Sequence, residues 1–296
     1  MRLVLLLLLG LAAGPVAAVP SWRVSAPEAP GEVLLLGSVH LLRPSDQPLP
    51  DAIEQAYARA DRMLLELHPA ELAPDAMQAA LARVGVAAPG RTARALLGET
   101  AWAETAAQAR AAGFSAQALA GLEPWFGAMT LYASALGAAG YDPALGVDQQ
   151  LGARALRDGL PVAGLETLDE QLGLFKALDE PTQLALLAKT LEELGTAGAD
   201  TTRLVAAWRA GDVQALARRL ETDFAGYPAL REQIVAQRNR RWVPQVEALL
   251  AAEGTGLVVV GALHLVGPEG LPALLRARGL VVERLPERAT AVPDSR

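Results

Sequence analysis

The chain has 296 residues, of which 52% are hydrophobic and 20% are charged, and it contains no cysteine. This is the composition of a folded globular protein with room for one large core or two smaller ones. A formal charge of −7 without a block of basic residues argues against nucleic-acid binding, and the lack of cysteine excludes disulfides, thiolate nucleophiles and thiolate metal ligands.

The first 18 residues have the pattern of a cleavable signal peptide. Met1-Arg2 supplies a positive charge, residues 3–11 form a short apolar core, and Val16-Ala17-Ala18 supplies the small residues of a cleavage site. An apolar core of about nine to twelve residues is too short for a helix that stays in the bilayer. We therefore expect secretion to the periplasm, cleavage near Ala18, no stable membrane anchor afterwards, and a single domain over residues 19–296.

Strand patterns lie at the two ends of the chain and helical patterns lie between them. Apolar runs predict strands at 22–24, 33–36 and 63–67, with a helix at 51–60 before the third strand. One further short run at 160–165 is a possible strand within a mainly helical stretch. The predicted helices of that stretch are 75–84, 92–97, 101–112, 115–120, 125–136, 147–157, 168–178, 181–194, 201–210, 213–221 and 230–253. The pattern predicts an α/β (α+β) fold in which both chain ends build one central sheet, capped by a large helical insertion at about 70–253.

A strand–turn–helix–strand unit occurs twice, once near each end of the chain. Gly37-Ser38-Val39-His40 follows one apolar run, and Gly261-Ala262-Leu263-His264 follows another. In each copy a Leu-Pro pair, a helical stretch and a second apolar run with a glutamate come next, and these glutamates are Glu66 and Glu283. Two of the three histidines in the chain therefore stand at equivalent positions of a repeat.

This repeat predicts a site at the carboxyl edge of the sheet, where open α/β sheets bind ligands. If the two strands are neighbours, His40 and His264 come close together, and Glu66 would be costly to bury without a partner. The three side chains can hold a metal ion that keeps open positions for water, or one imidazole can activate water with the carboxylate alone. His68 is interpreted as a strand-end residue or a further ligand, and Glu283 as half of a solvated ion pair.

These residues resemble the TraB/GumN family, which includes bacterial GumN-like proteins, the pheromone-shutdown protein TraB and the animal Tiki proteases. The resemblance covers residues 22–285. Besides the two Gly-x-x-His turns, it rests on Ala60-Asp61-Arg62-Met63-Leu64-Leu65-Glu66, Gly146-Val147-Asp148-Gln149-Gln150, Gly164-Leu165-Glu166-Thr167-Leu168-Asp169-Glu170-Gln171, Trp208-Arg209-Ala210-Gly211-Asp212 and Arg238-Asn239-Arg240-Arg241-Trp242.

The resemblance implies an α/β core related to the erythromycin-esterase-like and ChaN-like proteins, with His40, Glu66 and His264 forming the site. By similarity to the Tiki proteases it implies a divalent metal ion, Mn²⁺, Co²⁺ or Zn²⁺, as the cofactor. In esterase relatives the first histidine is instead a base for water. Arg238 is implied as an anion or carbonyl clamp, with a solvated cation as the alternative.

Glu166 and Asp148 also lie in stretches that carry the resemblance. Glu166 closes a short apolar run, so it is interpreted either as a further acid of the site or as the cap of the helix that follows. Asp148 stands near the start of a predicted helix, where the helix dipole favours an acid with or without a functional role.

Three functions remain open on the sequence. The first is an exported, peptidase-like hydrolase whose metal ion, held by His40, Glu66 and His264, lowers the pKa of bound water. The second is a metal-independent, esterase-like hydrolase in which His40 takes a proton from water and Glu66 orients it. The third is a non-catalytic protein that sequesters a ligand. The expected partner is a peptide or a small molecule.

Overall fold

The computed structural model describes residues 19–88 and 90–286, so the predicted signal peptide lies outside the described residues. One mixed sheet has the strand order β4-β3-β5-β2-β1-β6. The strands are β1 Ser21–Ser25, β2 Gly31–Ser38, β3 Arg62–Leu65, β4 Val162–Gly164, β5 Gly254–Gly261 and β6 Val281–Arg284. Strands β2 to β5 pair in parallel, while β1 runs antiparallel to both β2 and β6. The predicted α/β class is confirmed, and the two chain ends share one sheet.

The helices lie mostly between β3 and β5. In chain order they are α1 Asp51–Ala58, α2 Pro74–Gly85, α3 Ala93–Ala111, α4 Ala116–Ala120, α5 Pro124–Ala138, α6 Val147–Asp158, α7 Leu168–Lys176, α8 Glu180–Glu193, α9 Ala197–Arg209, α10 Val213–Asp223, α11 Pro228–Arg231, α12 Gln237–Leu250 and α13 Leu271–Ala277. The long helix predicted at 230–253 is wrong in one respect, because a π-helical turn at Glu232–Ala236 separates α11 from α12. Such turns are frequent at functional sites.

The central strands are buried on both faces, which explains why β2 and β5 read as unbroken apolar runs. On one face Leu34 and Leu36 pack with Leu257 and Val259; on the other, Leu35 packs with residues of β5. Helices α1, α6 and α9 cover the first face, and α12 and α13 cover the second. Each such side chain stabilises the fold by about 1.5–3 kcal/mol on burial.

The register of β2 against β5 differs by one residue from the sequence repeat. The repeat aligns Gly37 with Gly261, whereas the parallel pairing places Ser38 opposite Gly261. Because side chains alternate between faces along a strand, one residue of offset sends equivalent residues to opposite faces. The two glycines that open the Gly-x-x-His turns therefore lie on opposite faces of the sheet.

Within residues 19–88 and 90–286, no helix combines the length and the apolar character that a bilayer crossing requires.

Candidate functional site

Three side chains predicted from the sequence meet at the carboxyl edge of the sheet. His40 follows β2, Glu66 follows β3 directly, and His264 lies in a short 3-10 helix, Ala262–Leu265, that follows β5. A methyl group placed on Gly261 would lie 3.1 Å from Nε2 of His40, 3.3 Å from Oε1 of Glu66 and 3.6 Å from Cδ2 of His264. The glycine that ends β5 thus leaves the space in which the three groups approach one another.

Glu66 is a buried carboxylate with partners on both oxygens. Its Oε1 accepts a hydrogen bond from the backbone N–H of Gly261 at 2.7 Å, and its Oε2 accepts one from Nη2 of Arg238 at 2.5 Å. Burial raises the pKa of Glu66, but the charge of Arg238 leads the opposing effects, and the net result is a pKa well below the ordinary value. Glu66 is therefore an anion throughout the neutral range.

Arg238 is buried at the centre of the cluster, with 5% of its surface exposed. All five of its N–H groups donate to acceptors, which belong to Glu66, Glu166, His264 and the carbonyl of Ile234. Because no donor is left over, Arg238 in this arrangement cannot clamp a substrate carbonyl or anion, as the family resemblance had implied. The alternative of a solvated cation is wrong as well, since two buried carboxylates enclose the guanidinium.

His264 is a buried, neutral imidazole with both ring nitrogens in use. Its Nε2 lies 3.0 Å from Nη1 of Arg238, which can only donate, so Nε2 is the acceptor. The proton is then on Nδ1, which donates to Oδ1 of Asn239 at 2.7 Å. The amide of Asn239 is held in turn by the carbonyl of Glu269. Burial lowers the pKa of His264 to about 3, so this imidazole stays neutral.

The predicted metal ligands do not fit a metal ion in this arrangement. A histidine ligand must offer the lone pair of a ring nitrogen, but Nε2 of His264 accepts from Arg238 and its Nδ1 donates to Asn239. The guanidinium of Arg238 also lies against Glu66, where a second cation would be repelled. Within the described part of the chain, no group of three or more His, Cys, Asp or Glu side chains could hold a metal ion. A bound metal ion therefore stays a prediction from the family resemblance. In this structure the guanidinium of Arg238 lies between the side chains that were expected to bind the ion.

His40 differs from His264 in every respect. Its side chain is 52% exposed, its Nδ1 lies 3.0 Å from Oδ1 of Asp148, and its Nε2 lies 3.8 Å from Oε1 of Glu66. The negative charge of Asp148 is the main cause that raises the pKa of His40 to about 9. Gly146 lets the two segments approach, because a Cβ there would lie 2.3 Å from the carbonyl oxygen of His40. Asp148, in the first turn of α6, thus belongs to the site.

The other predicted residues divide between the cluster and its surroundings. Glu166 joins the cluster through Arg238, and the helix that follows is capped by Thr167 instead. His68 does not join it: its Nδ1 accepts from the N–H of Ala70 and caps a short 3-10 helix. Glu283 forms the predicted ion pair with Arg23, a partly exposed contact at 2.6 Å.

Sequence reasoning did not single out three polar residues of this region. Asn239 fixes the tautomer of His264, and Gln171 donates to Glu166 at 3.0 Å. Both stand in stretches that carried the family resemblance, which was the available signal. In the sequence Ser38 appeared only as part of the first Gly-x-x-His turn, with nothing to indicate a role. Its hydroxyl is buried and has no hydrogen-bond partner among the described residues.

A cavity of about 270 Å³ opens beside the cluster, and we refer to it as the site cavity. Ser38, His40, Gly261 and His264 form its polar end. Apolar side chains form most of the remaining wall, among them Leu136, Leu204, Leu220, Phe224, Ile234 and Leu263. Since Nε2 of His40 has no hydrogen bond to any described residue, its lone pair or proton is available to a molecule in this cavity.

Comparisons with known proteins agree with the motifs on which the site rests. The uncharacterized protein YbaP of Escherichia coli strain K12 is 31% identical over 152 residues, which cover 51% of this chain and 56% of YbaP. The protein of the same name from Shigella flexneri matches over the same shares. The chain thus spans about half the length of these curated relatives, and no solved structure matches it. The TraB/PrgY/gumN family matches residues 20–284, nearly all of the described chain, and the protein belongs to that family.

Proposed function

We propose that this protein is a hydrolase of carboxylic esters or amides in which His40, oriented by Asp148, activates water without a resident metal ion. The observation that carries the proposal is the contact between Nδ1 of His40 and Asp148, which leaves Nε2 at a cavity with no hydrogen bond to a described residue. A base whose second nitrogen is held by a carboxylate is the arrangement that proton transfer requires.

The reaction begins with neutral His40. Its Nε2 takes a proton from a water molecule as the water oxygen bonds to the carbonyl carbon of the substrate. Asp148 and the fixed anion of Glu66 stabilise the imidazolium that forms, since they lie 3.0 and 3.8 Å from its two nitrogens. The imidazolium then returns the proton to the leaving oxygen or nitrogen as the bond between that atom and the carbonyl carbon breaks, which releases the carboxylic acid and restores neutral His40.

Two other groups have supporting roles. Arg238 holds Glu66 ionised and in place, and it is a positioning residue because all its donors are occupied within the protein. The hydroxyl of Ser38 lines the cavity and has no hydrogen bond within residues 19–88 and 90–286, so it is the group we assign to the carbonyl oxygen, on which negative charge develops.

The test compares hydrolysis of p-nitrophenyl butanoate by the wild-type protein, with and without EDTA, and by His40→Ala. We expect EDTA to leave the rate unchanged and His40→Ala to lower kcat/KM by about 10²–10⁴-fold, the contribution typical of general base catalysis. His68→Asn is the matched control, since His68 lies outside the cluster and asparagine preserves a capping side chain.

Two outcomes would contradict the proposal. Loss of activity in EDTA that Mn²⁺, Co²⁺ or Zn²⁺ restores would return the metal-dependent peptidase-like reading, with Arg238 displaced from Glu66 and His264. A protein that binds peptides or small ligands in the site cavity but hydrolyses no ester or amide would be the sequestering alternative.

A further inference from the structure

A second cavity of about 360 Å³ adjoins the site cavity, and we refer to it as the distal cavity. Tyr132, Phe224, Ile234 and Leu263 line both cavities, so the two are neighbours across one shared wall. Ile234 belongs to the π-helical turn before α12, and Leu263 belongs to the second Gly-x-x-His turn. The elements that build the His264 side of the site therefore also build the wall that the two cavities share.

The walls of the distal cavity are mainly apolar. Beyond the shared residues they include Ala128, Met129, Phe175, Leu186 and Leu230. The charged side chains on this wall already have partners of opposite sign: Lys189 pairs with Glu193, and Arg219 pairs with Asp223 at 2.7 Å. No unpaired charge among the described wall residues selects a charged ligand group, which leaves apolar contact as the main source of affinity.

From this geometry we infer that the site takes substrates in which an unbranched alkyl acyl chain adjoins the scissile carbonyl. The carbonyl lies at the polar end of the site cavity, beside His40, and the chain extends past Ile234 and Leu263 into the distal cavity. The inference rests on the proposed function and names its substrate class.

An alkyl chain suits these walls better than a peptide does. Every peptide residue brings a backbone N–H and C=O that lose water on entry and need partners inside. The leucine, phenylalanine, isoleucine and methionine side chains that make up most of these walls offer none, and the uncharged polar side chains of the distal cavity are Tyr132, Thr190 and Tyr227. A chain of methylenes has no polar group to satisfy, and it gains about fourfold in affinity for each methylene removed from water.

The test measures kcat/KM for the butanoate, octanoate and dodecanoate esters of p-nitrophenol and for p-nitroanilides of apolar tripeptides. We expect a rise on the order of 10²-fold from butanoate to octanoate, with the tripeptides below octanoate. Met129→Trp fills the distal cavity and should lower the dodecanoate-to-butanoate ratio at least tenfold. Ser134→Trp is the matched control, because it adds the same indole to an exposed position of the same helix. Leu186→Trp repeats the test from α8 if Met129→Trp does not fold.

A binding measurement separates this inference from the proposed hydrolysis. Dodecanoate is titrated calorimetrically into His40→Ala, alone and combined with Met129→Trp or Ser134→Trp. Binding that only Met129→Trp weakens supports the acyl cavity even if the wild-type protein hydrolyses no ester. Rates that do not depend on chain length, a preference for the tripeptides, or equal effects of the two tryptophan variants would each overturn the inference.

Discussion

The two Gly-x-x-His turns begin from nearly the same sequence and end in opposite chemical states. His40 is half exposed, and the charge of Asp148 raises its pKa to about 9; His264 is buried, and burial lowers its pKa to about 3. One imidazole has a free Nε2 at a cavity, while the other has both nitrogens bound within the protein. The repeated motif therefore determines that each histidine lies at the carboxyl edge of the sheet, but not its protonation state or its role.

The helical segment makes the difference. Helix α6, which packs on one face of the sheet, supplies Asp148 to His40, while α12, which packs on the other face, supplies Arg238 and Asn239 to His264. The offset of one residue between the paired strands places the glycines that open the two turns on opposite faces of the sheet. The duplicated unit is thus a scaffold, and the inserted helices assign the roles of its two histidines.

Arg238→Met should have the largest effect, because it removes the buried cation that contacts Glu66, Glu166 and His264. The variant leaves Glu66 and Glu166 buried without the cation they share, and loss of one partner of a buried ion pair costs about 3–5 kcal/mol. Urea denaturation measures this free energy of unfolding. Arg240→Met, on the same helix but 49% exposed, is the control and should cost less than about 1 kcal/mol. If the two variants lost equal free energy of unfolding, the buried ion pairs of Arg238 would contribute no more to stability than the exposed ion pair of Arg240.

Asp148→Asn tests the His40 half. Without the negative charge the imidazolium is less stable, so the pKa of His40 should fall from about 9 toward its ordinary value near 6.5. Water reaches the half-exposed ring and screens part of its interaction with Asp148. NMR titration of the imidazole protons measures the size of the pKa shift.

The same substitution should change the pH dependence of hydrolysis. In the wild-type protein the neutral base forms as pH rises through about 9, so kcat/KM should increase up to that pH. In Asp148→Asn the midpoint moves to lower pH, but the plateau should fall about 10²-fold because the ring loses its orienting partner. A lower plateau without a shift in the midpoint would assign Asp148 to packing rather than to proton transfer.

Much of this site could be predicted from the sequence, for a clear physical reason. Parallel strands end at one edge, so glycine turns after two apolar runs bring His40 and His264 together beside Glu66. The two-sided burial of β2 and β5 and most helix positions also follow from periodicity. What these signals share is that they are local in the chain or repeated within it.

The roles of Asp148 and Arg238 could not be predicted in the same way. Asp148 stands 108 residues from His40, and its place near a helix N-terminus had a sufficient explanation in the helix dipole. Helical periodicity indicates whether Arg238 faces the core or the solvent only to within a turn of the helix. It does not identify the carboxylates that contact Arg238. The predicted metal ligands do not fit a metal ion in this arrangement. Three ligand-type residues at one edge of the sheet do not show that the chain itself supplies a cation there, the guanidinium of Arg238.

The pH dependence of stability should separate the two histidines by sign. The folded protein keeps His264 neutral down to a pKa of about 3, whereas the unfolded chain binds that proton near pH 6.5. Stability should therefore fall as pH drops below about 6.5, by about 1.4 kcal/mol per pH unit for this group, and the lowered pKa of Glu66 adds a loss further down. His40 acts oppositely, because its raised pKa gives a contribution that is complete below about pH 6.5 and disappears as pH rises through about 9.

Urea midpoints between pH 4 and pH 10 check both limbs. His40→Asn should flatten the alkaline limb and keep the acid limb, and His68→Asn should leave both unchanged. An alkaline limb that survives His40→Asn would assign it to another group and remove the evidence for a strongly coupled His40–Asp148 pair.

Ser38→Ala should have the smallest effect, and it moves stability and activity in opposite directions. The hydroxyl is buried and has no hydrogen-bond partner in the described part of the chain, so its removal relieves a desolvation penalty and should raise the free energy of unfolding by up to about 1 kcal/mol. If that hydroxyl donates to the developing oxyanion, kcat should fall about tenfold, the value of one hydrogen bond to a charged group. Ser38→Thr, which retains a hydroxyl, serves as the comparison for activity. A variant that is both more stable and fully active would show that the unpaired hydroxyl is a packing defect, and the first turn would then contribute His40 alone to the reaction.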